Sequence, residues 1–66
     1  MKWLDIEEIA EALQEEYPEF DILSVRFTAL RKMITDLEGF NDEDDKCNEK
    51  ILEAIQANWL ELREEE

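Results

Sequence analysis

Residues 5–18 read DIEEIAEALQEEYP, and this stretch decides the fold class. Ile6, Ile9, Ala10, Leu13 and Tyr17 recur at the three-to-four-residue spacing of one helix face, with glutamates between them. Asp5 stands where an N-cap belongs, and Glu8 follows three residues later, as in a capping box. Acidic residues in the first turn also suit the helix dipole. Pro18 ends the pattern, because its ring disfavours helical geometry at the residue before it.

The same reading extends along the chain. Asp21 is a cap for one short turn, and Val25-Arg26-Phe27 reads as briefly extended. Thr28 is the expected N-cap of a second helix with Leu30, Met33, Ile34 and Leu37 on its apolar face. Gly39, the only glycine, follows where a left-handed C-cap belongs, with Phe40 folding back on the last turn. A polar connection with four successive acids, Asp42 to Asp45, leads to a third helix that starts between Asp44 and Asn48. Its buried stripe is Ile51, Leu52, Ile55, Trp59 and Leu62, and it is expected to fray after Arg63, with Glu64 to Glu66 solvated. Six aromatics, Trp3, Tyr17, Phe20, Phe27, Phe40 and Trp59, are assigned to the core. The expectation is a single all-α domain over residues 1–66: a compact three-main-helix domain, winged-helix-like and helix-turn-helix-related, with no adequate β wing.

Sixty-six residues leave room for one thin core and no deep cavity. The 44% hydrophobic content is enough to fold, and its periodicity sets the chain apart from disordered acidic tails. Formal charge is −13, from 20 acids and 7 bases. That balance opposes nucleic acid, since phosphate binding needs clustered Lys and Arg, and opposes an anionic membrane surface. It favours a basic protein partner or hard cations, and a monomer. Cys47 is the only cysteine and there is no histidine, which removes intrachain disulfides, tight zinc sites and cysteine-ligated clusters. Without a histidine base Cys47 is also a poor nucleophile, and no enzyme is expected. No signal peptide or membrane span is legible, so a cytoplasmic location is the default.

The charge is uneven. Residues 1–21 hold eight acids against Lys2, residues 22–38 hold Arg26, Arg31 and Lys32 against Asp36 and Glu38, and residues 40–66 hold ten acids against three bases. Glu8, Glu11 and Glu15 fall at i, i+3 and i+7 on the first helix, with Glu7 adjoining. Like charges so placed destabilise an isolated helix, and a partner would account for them; a plain solvated face is the alternative. The same acids, with Asp42 and Glu43, are the candidate ligands for a weak oxygen-donor metal site.

The blocks Lys2-Trp3, Asp5 with Glu8-Ile9, Glu11-Ala12-Leu13, Tyr17-Pro18, Val25-Arg26-Phe27-Thr28, Asp36-Leu37-Glu38, Phe40, Asn48 through Ile55 and Trp59-Leu60 together resemble the IscX family of small acidic proteins found with bacterial iron–sulphur cluster assembly. The resemblance covers nearly the whole chain. It implies a winged-helix-like helical fold and an adaptor that regulates cluster assembly by binding the cysteine desulfurase through acidic surface. It also implies weak Fe²⁺ or Fe³⁺ binding by exposed carboxylates, with iron donation as the alternative role and a ferredoxin left open as a second partner. By matching position it points to Asp5, Glu8, Glu11, Asp36 and Glu38 as partner-binding acids, joined by Glu15 and Glu19. Ile22 departs from the family pattern where a proline is often found, which puts the start of the short turn in question.

Overall fold

A computed structural model describes residues 1–65. Helix α1 runs Ile6–Glu16, α2 Phe27–Thr35 and α3 Glu49–Glu65, with 3₁₀ turns at Ile22–Ser24 and Asp44–Lys46. The fold is all-helical, and no strand forms among the described residues. The 17-residue α3 is the backbone of the molecule. It lies along α1, and α2 packs on both.

The apolar stripes meet as expected. Ile9, Ala10 and Leu13 of α1, Leu30 and Ile34 of α2, and Leu52, Ile55 and Trp59 of α3 are buried in one cluster, closed by Trp3, Ile22 and Leu37. Ile6, Tyr17, Met33, Ile51 and Leu62 pack half-buried around it. Trp3 and Trp59 are the largest fully buried side chains. Tyr17, Phe20, Phe27 and Phe40 sit at the margin of the core rather than inside it. Ile22 opens the 3₁₀ turn, with its side chain buried and its carbonyl accepting Nε2 of Gln56 at 2.9 Å.

Several local expectations need correction. Asp5 precedes α1 but does not cap it with its side chain. Its Oδ2 instead accepts the Lys2 N–H at 2.9 Å, while its own N–H donates to the Lys2 carbonyl at 2.9 Å, closing a tight turn that places Trp3 in the core. Thr28 is not an N-cap. Arg26 is the last extended residue, with φ −87° and ψ 151°, so the helix starts two residues early and Thr28 lies in its first turn. Helix α2 stops at Thr35 rather than Leu37, and a further turn carries the chain to Gly39. There φ is +87°, a conformation that glycine alone adopts without strain. Helix α3 starts at Glu49, capped by Asn48, whose Oδ1 accepts the Ile51 N–H at 3.0 Å.

The last helix does not fray at Arg63. Trp59 Nε1 donates to Gln14 Oε1 at 2.9 Å, and Arg63 Nε donates to the same oxygen at 3.1 Å. Arg63 Nη2 donates to the Tyr17 carbonyl at 2.7 Å and Nη1 to the Phe20 carbonyl. Those carbonyls lie in the Pro18 turn, beyond α1, where the helix offers them no partner. The guanidinium also lies 5.5 Å from the Trp59 ring centre, within cation–π range. One arginine thus joins the end of α3 to the end of α1. The expected solvation of Glu64 holds; Glu66 lies outside the described residues.

At the opposite end the N-terminal segment is held by the loop after α2. Asn41 N–H donates to the Met1 carbonyl at 3.0 Å, Trp3 N–H to Asp42 Oδ2 at 3.1 Å, and Trp3 Nε1 to the Glu43 carbonyl at 2.8 Å. Phe40 meets the Trp3 ring edge-on with centroids 4.7 Å apart. Both buried indoles therefore have their polar N–H satisfied.

Candidate functional site

Burying one face of α1 forces its glutamates outward, and laying α3 alongside brings a second row of acids next to them. The result is a shallow groove. Glu7, Glu11 and Glu15 form one wall and Glu61 and Glu65 the other, with Gln14, Asn58 and Leu62 between. At its α1 N-terminal end Glu7 also borders a second depression with Leu4, Asp5, Ile6 and Glu8. The acidic surface is therefore continuous from Asp5 to Glu15.

The glutamate row along the groove is i, i+4, i+8, that is Glu7, Glu11 and Glu15. The i, i+3, i+7 set read from the sequence takes in Glu8 instead, which turns toward Leu4 and Asp5. Glu61 and Glu65 were missed as partners of this face. Periodicity within one helix cannot show which residues of another helix lie beside it; only the packing does.

Of the acids expected at the site, Asp5, Glu8, Glu11 and Glu15 share this surface. Glu19, Asp36 and Glu38 are exposed but line neither depression: Glu19 follows Pro18, Asp36 terminates α2, and Glu38 lies in the turn before Gly39. Among the described residues no hydrogen bond or ion pair occupies the carboxylates of Glu7, Glu8, Glu11, Glu15, Glu61 or Glu65. Glu7–Glu11, Glu11–Glu15 and Glu61–Glu65 are like-charged i, i+4 pairs, each costing about 0.2–0.5 kcal/mol in a helix. Arg63, the base nearest in sequence to Glu61 and Glu65, directs its guanidinium into the Gln14 and carbonyl contacts instead.

Asp42 behaves differently. Its side chain is 7% exposed. Oδ1 accepts the Glu43 N–H at 2.8 Å and lies 3.8 Å from Lys46 Nζ, while Oδ2 accepts the Trp3 N–H. These backbone N–H groups, Glu43 first and Trp3 next, hold its pKa below the usual 3.8, with Lys46 adding a smaller pull. Both oxygens are engaged in holding the chain together. Glu43, its neighbour, is exposed.

Among the described residues no three Asp, Glu, Cys or His side chains come together in a group that could hold a metal ion. The donor set on the acidic face is pairs of exposed carboxylates, which select poorly among divalent cations. Cys47 is half-buried beside the start of α3. No helix among the described residues is long and apolar enough to cross a membrane.

Charge is segregated by element. Arg26, Arg31 and Lys32, at and within α2, are exposed, and no acid lies between Arg26 and Thr35. Arg31 borders a depression with Phe27, Thr28, Cys47 and Asn48, to which no α1 glutamate contributes.

A family model described as iron–sulphur cluster assembly matches residues 1–64. An uncharacterized protein of Pseudomonas aeruginosa is 45% identical over 64 residues, which is 97% of this chain and 97% of that protein.

Proposed function

We propose a function from the premise that the chain belongs to the iron–sulphur cluster assembly family. Within that process it acts as an acidic adaptor that docks on a basic surface of the cysteine desulfurase and regulates sulphur delivery. It performs no chemistry of its own and works as a cytoplasmic monomer.

One observation supports this reading above the others. In the continuous carboxylate surface from Asp5 to Glu15, extended by Glu61 and Glu65, the carboxylates of Glu7, Glu8, Glu11, Glu15, Glu61 and Glu65 have no internal partner among the described residues, and their like-charged pairs cost the helices stability. A face kept at such cost fits a complementary, basic protein surface. Attraction of that kind speeds association and weakens with salt. In this reading Glu19, Asp36 and Glu38 are peripheral contacts.

Iron enters as a weakly held cargo or effector. Paired carboxylates, Glu8 among them, would bind Fe²⁺ with water completing the shell, and Mg²⁺ at cellular levels would compete. Iron donation by this chain is the less favoured role for that reason, and a ferredoxin is a further proposed partner without a surface assigned to it.

The test is charge reversal. Glu8→Lys with Glu11→Lys should weaken binding to the desulfurase by at least about tenfold, on the scale of tenfold per 1.4 kcal/mol, with unchanged helical circular dichroism. Unchanged affinity in a folded double variant would sink the docking face.

A further inference from the structure

We propose that Leu4 is the apolar anchor of the acidic face and seats in an apolar notch on a basic protein surface. This rests on the docking reading above and names an apolar contact at the N-terminal end of that face.

Leu4 is 80% exposed, whereas its neighbour Trp3 is 1% exposed. The backbone around it is fixed. Asp5 N–H and Lys2 N–H close the turn on each other's residue, and Trp3 is held through its N–H by Asp42 and through Nε1 by the Glu43 carbonyl. Leu4 is thus presented on a stem already ordered in the free protein. Little backbone freedom remains to be lost when it is buried, and preordering of this kind raises affinity.

Its surroundings specify the partner. On one side Leu4 shares a depression with Asp5, Glu7 and Glu8, and Glu7 continues into the groove with Glu11; on the other it borders a second depression with Lys2, Asp42 and Lys46. An apolar side chain ringed by charged ones is the anatomy of a protein contact, and the desolvated apolar anchor carries most of its binding energy. The Asp5, Glu7 and Glu8 carboxylates on one side of the rim require basic groups on that side of the notch that receives Leu4, while Lys46 on the other side is already paired with Asp42. A second copy of this chain brings the same acids and a charge of −13, so it is repelled, as is an anionic membrane.

Leu23 provides the internal comparison. It is 78% exposed, but it sits on the 3₁₀ turn, where the neighbouring acid Asp21 accepts the Ser24 hydroxyl at 2.7 Å. It lines neither acidic depression.

The experiment measures association and dissociation of the full chain, Leu4→Ala and Leu23→Ala on the cysteine desulfurase at low and high salt. Both substitutions remove solvent-exposed atoms, so circular dichroism should be unchanged. Leu4→Ala should weaken binding by about tenfold, through faster dissociation and with the salt dependence intact. Leu23→Ala should stay within about twofold of the unsubstituted chain. Full affinity in Leu4→Ala, or an equal loss in Leu23→Ala, overturns the anchor while leaving the docking reading standing. No binding by the unsubstituted chain overturns the docking reading, and the anchor with it.

Discussion

Asp42 and Glu11 are both carboxylates on a strongly acidic chain, and the fold uses them in opposite ways. Asp42 is nearly enclosed and accepts two backbone N–H groups, one of them from Trp3, 39 residues away. Glu11 is exposed, has no partner among the described residues, and faces other glutamates across a groove. The first acid ties the N-terminal segment to the loop after α2. The second is left available. Counting acids cannot separate these uses; the number of N–H groups directed at each carboxylate does.

The comparison can be broken first at the clasp. Trp3→Ala removes a fully buried indole and takes one of its two donors from the Glu43 carbonyl, which keeps only the Lys46 N–H at 3.2 Å. The expected loss is about 3–5 kcal/mol. Domains of this size have roughly 3–10 kcal/mol in total, so the variant should be largely unfolded at physiological temperature. A cooperative thermal transition close to that of the unsubstituted protein would show that Trp3 closes the core far less tightly than its burial implies.

Arg63→Ala tests the other end. It takes the Arg63 donor from the Phe20 carbonyl, leaves the Tyr17 carbonyl with only the Phe20 N–H at 3.3 Å, and removes the cation above Trp59. A loss of about 1–3 kcal/mol is expected from urea denaturation. Hydrogen exchange at the C-terminal turn of α3 should rise with it, since the account attributes that turn's order to this side chain.

A pH series sharpens the contrast further. The pKa of Asp42 is depressed in the folded protein, so its contribution is present above about pH 3.8, the unfolded value, and is lost as pH falls through the lower folded value. Asp42→Asn should therefore be less stable at neutral pH, and its deficit should shrink on acidification below about pH 4. A deficit that stays constant down to about pH 2 would mean that the carboxylate charge at this position contributes nothing.

The smallest effect on stability belongs to the groove. Glu11→Gln removes repulsion toward Glu7 and Glu15 and should leave stability unchanged or raise it by about 0.2–0.5 kcal/mol. A destabilised Glu11→Gln would show that this carboxylate has a structural partner after all.

Much of this was legible in the sequence. Ile9, Leu13, Leu30, Ile34, Leu52, Ile55 and Trp59 announced their burial by spacing, and Gly39 marked a left-handed turn. The errors arose where a local rule met a tertiary competitor. Asp5 has the chemistry of a cap, but the Lys2 N–H takes its carboxylate. The end of α3 looked ready to fray, because nothing in the local sequence says that Arg63 reaches the Pro18 turn. Asp42 reads in the sequence as one of four acids in a loop, and only the fold sets the Trp3 N–H against it. At the candidate site the acidic face of α1 was readable, but its register and the contribution of Glu61 and Glu65 follow from the packing of α3 against α1.

The central claim is that the groove acids are kept for a basic partner while Asp42 is kept for the fold. The direct measurement is calorimetric affinity for the cysteine desulfurase as a function of salt, for the unsubstituted chain and for Glu7→Gln/Glu11→Gln/Glu15→Gln. The account predicts that binding weakens as salt rises and that the triple variant, folded, binds more weakly with a flatter salt dependence. Binding of undiminished strength and the same salt dependence in the triple variant, or no binding by the unsubstituted chain at any salt, would contradict it.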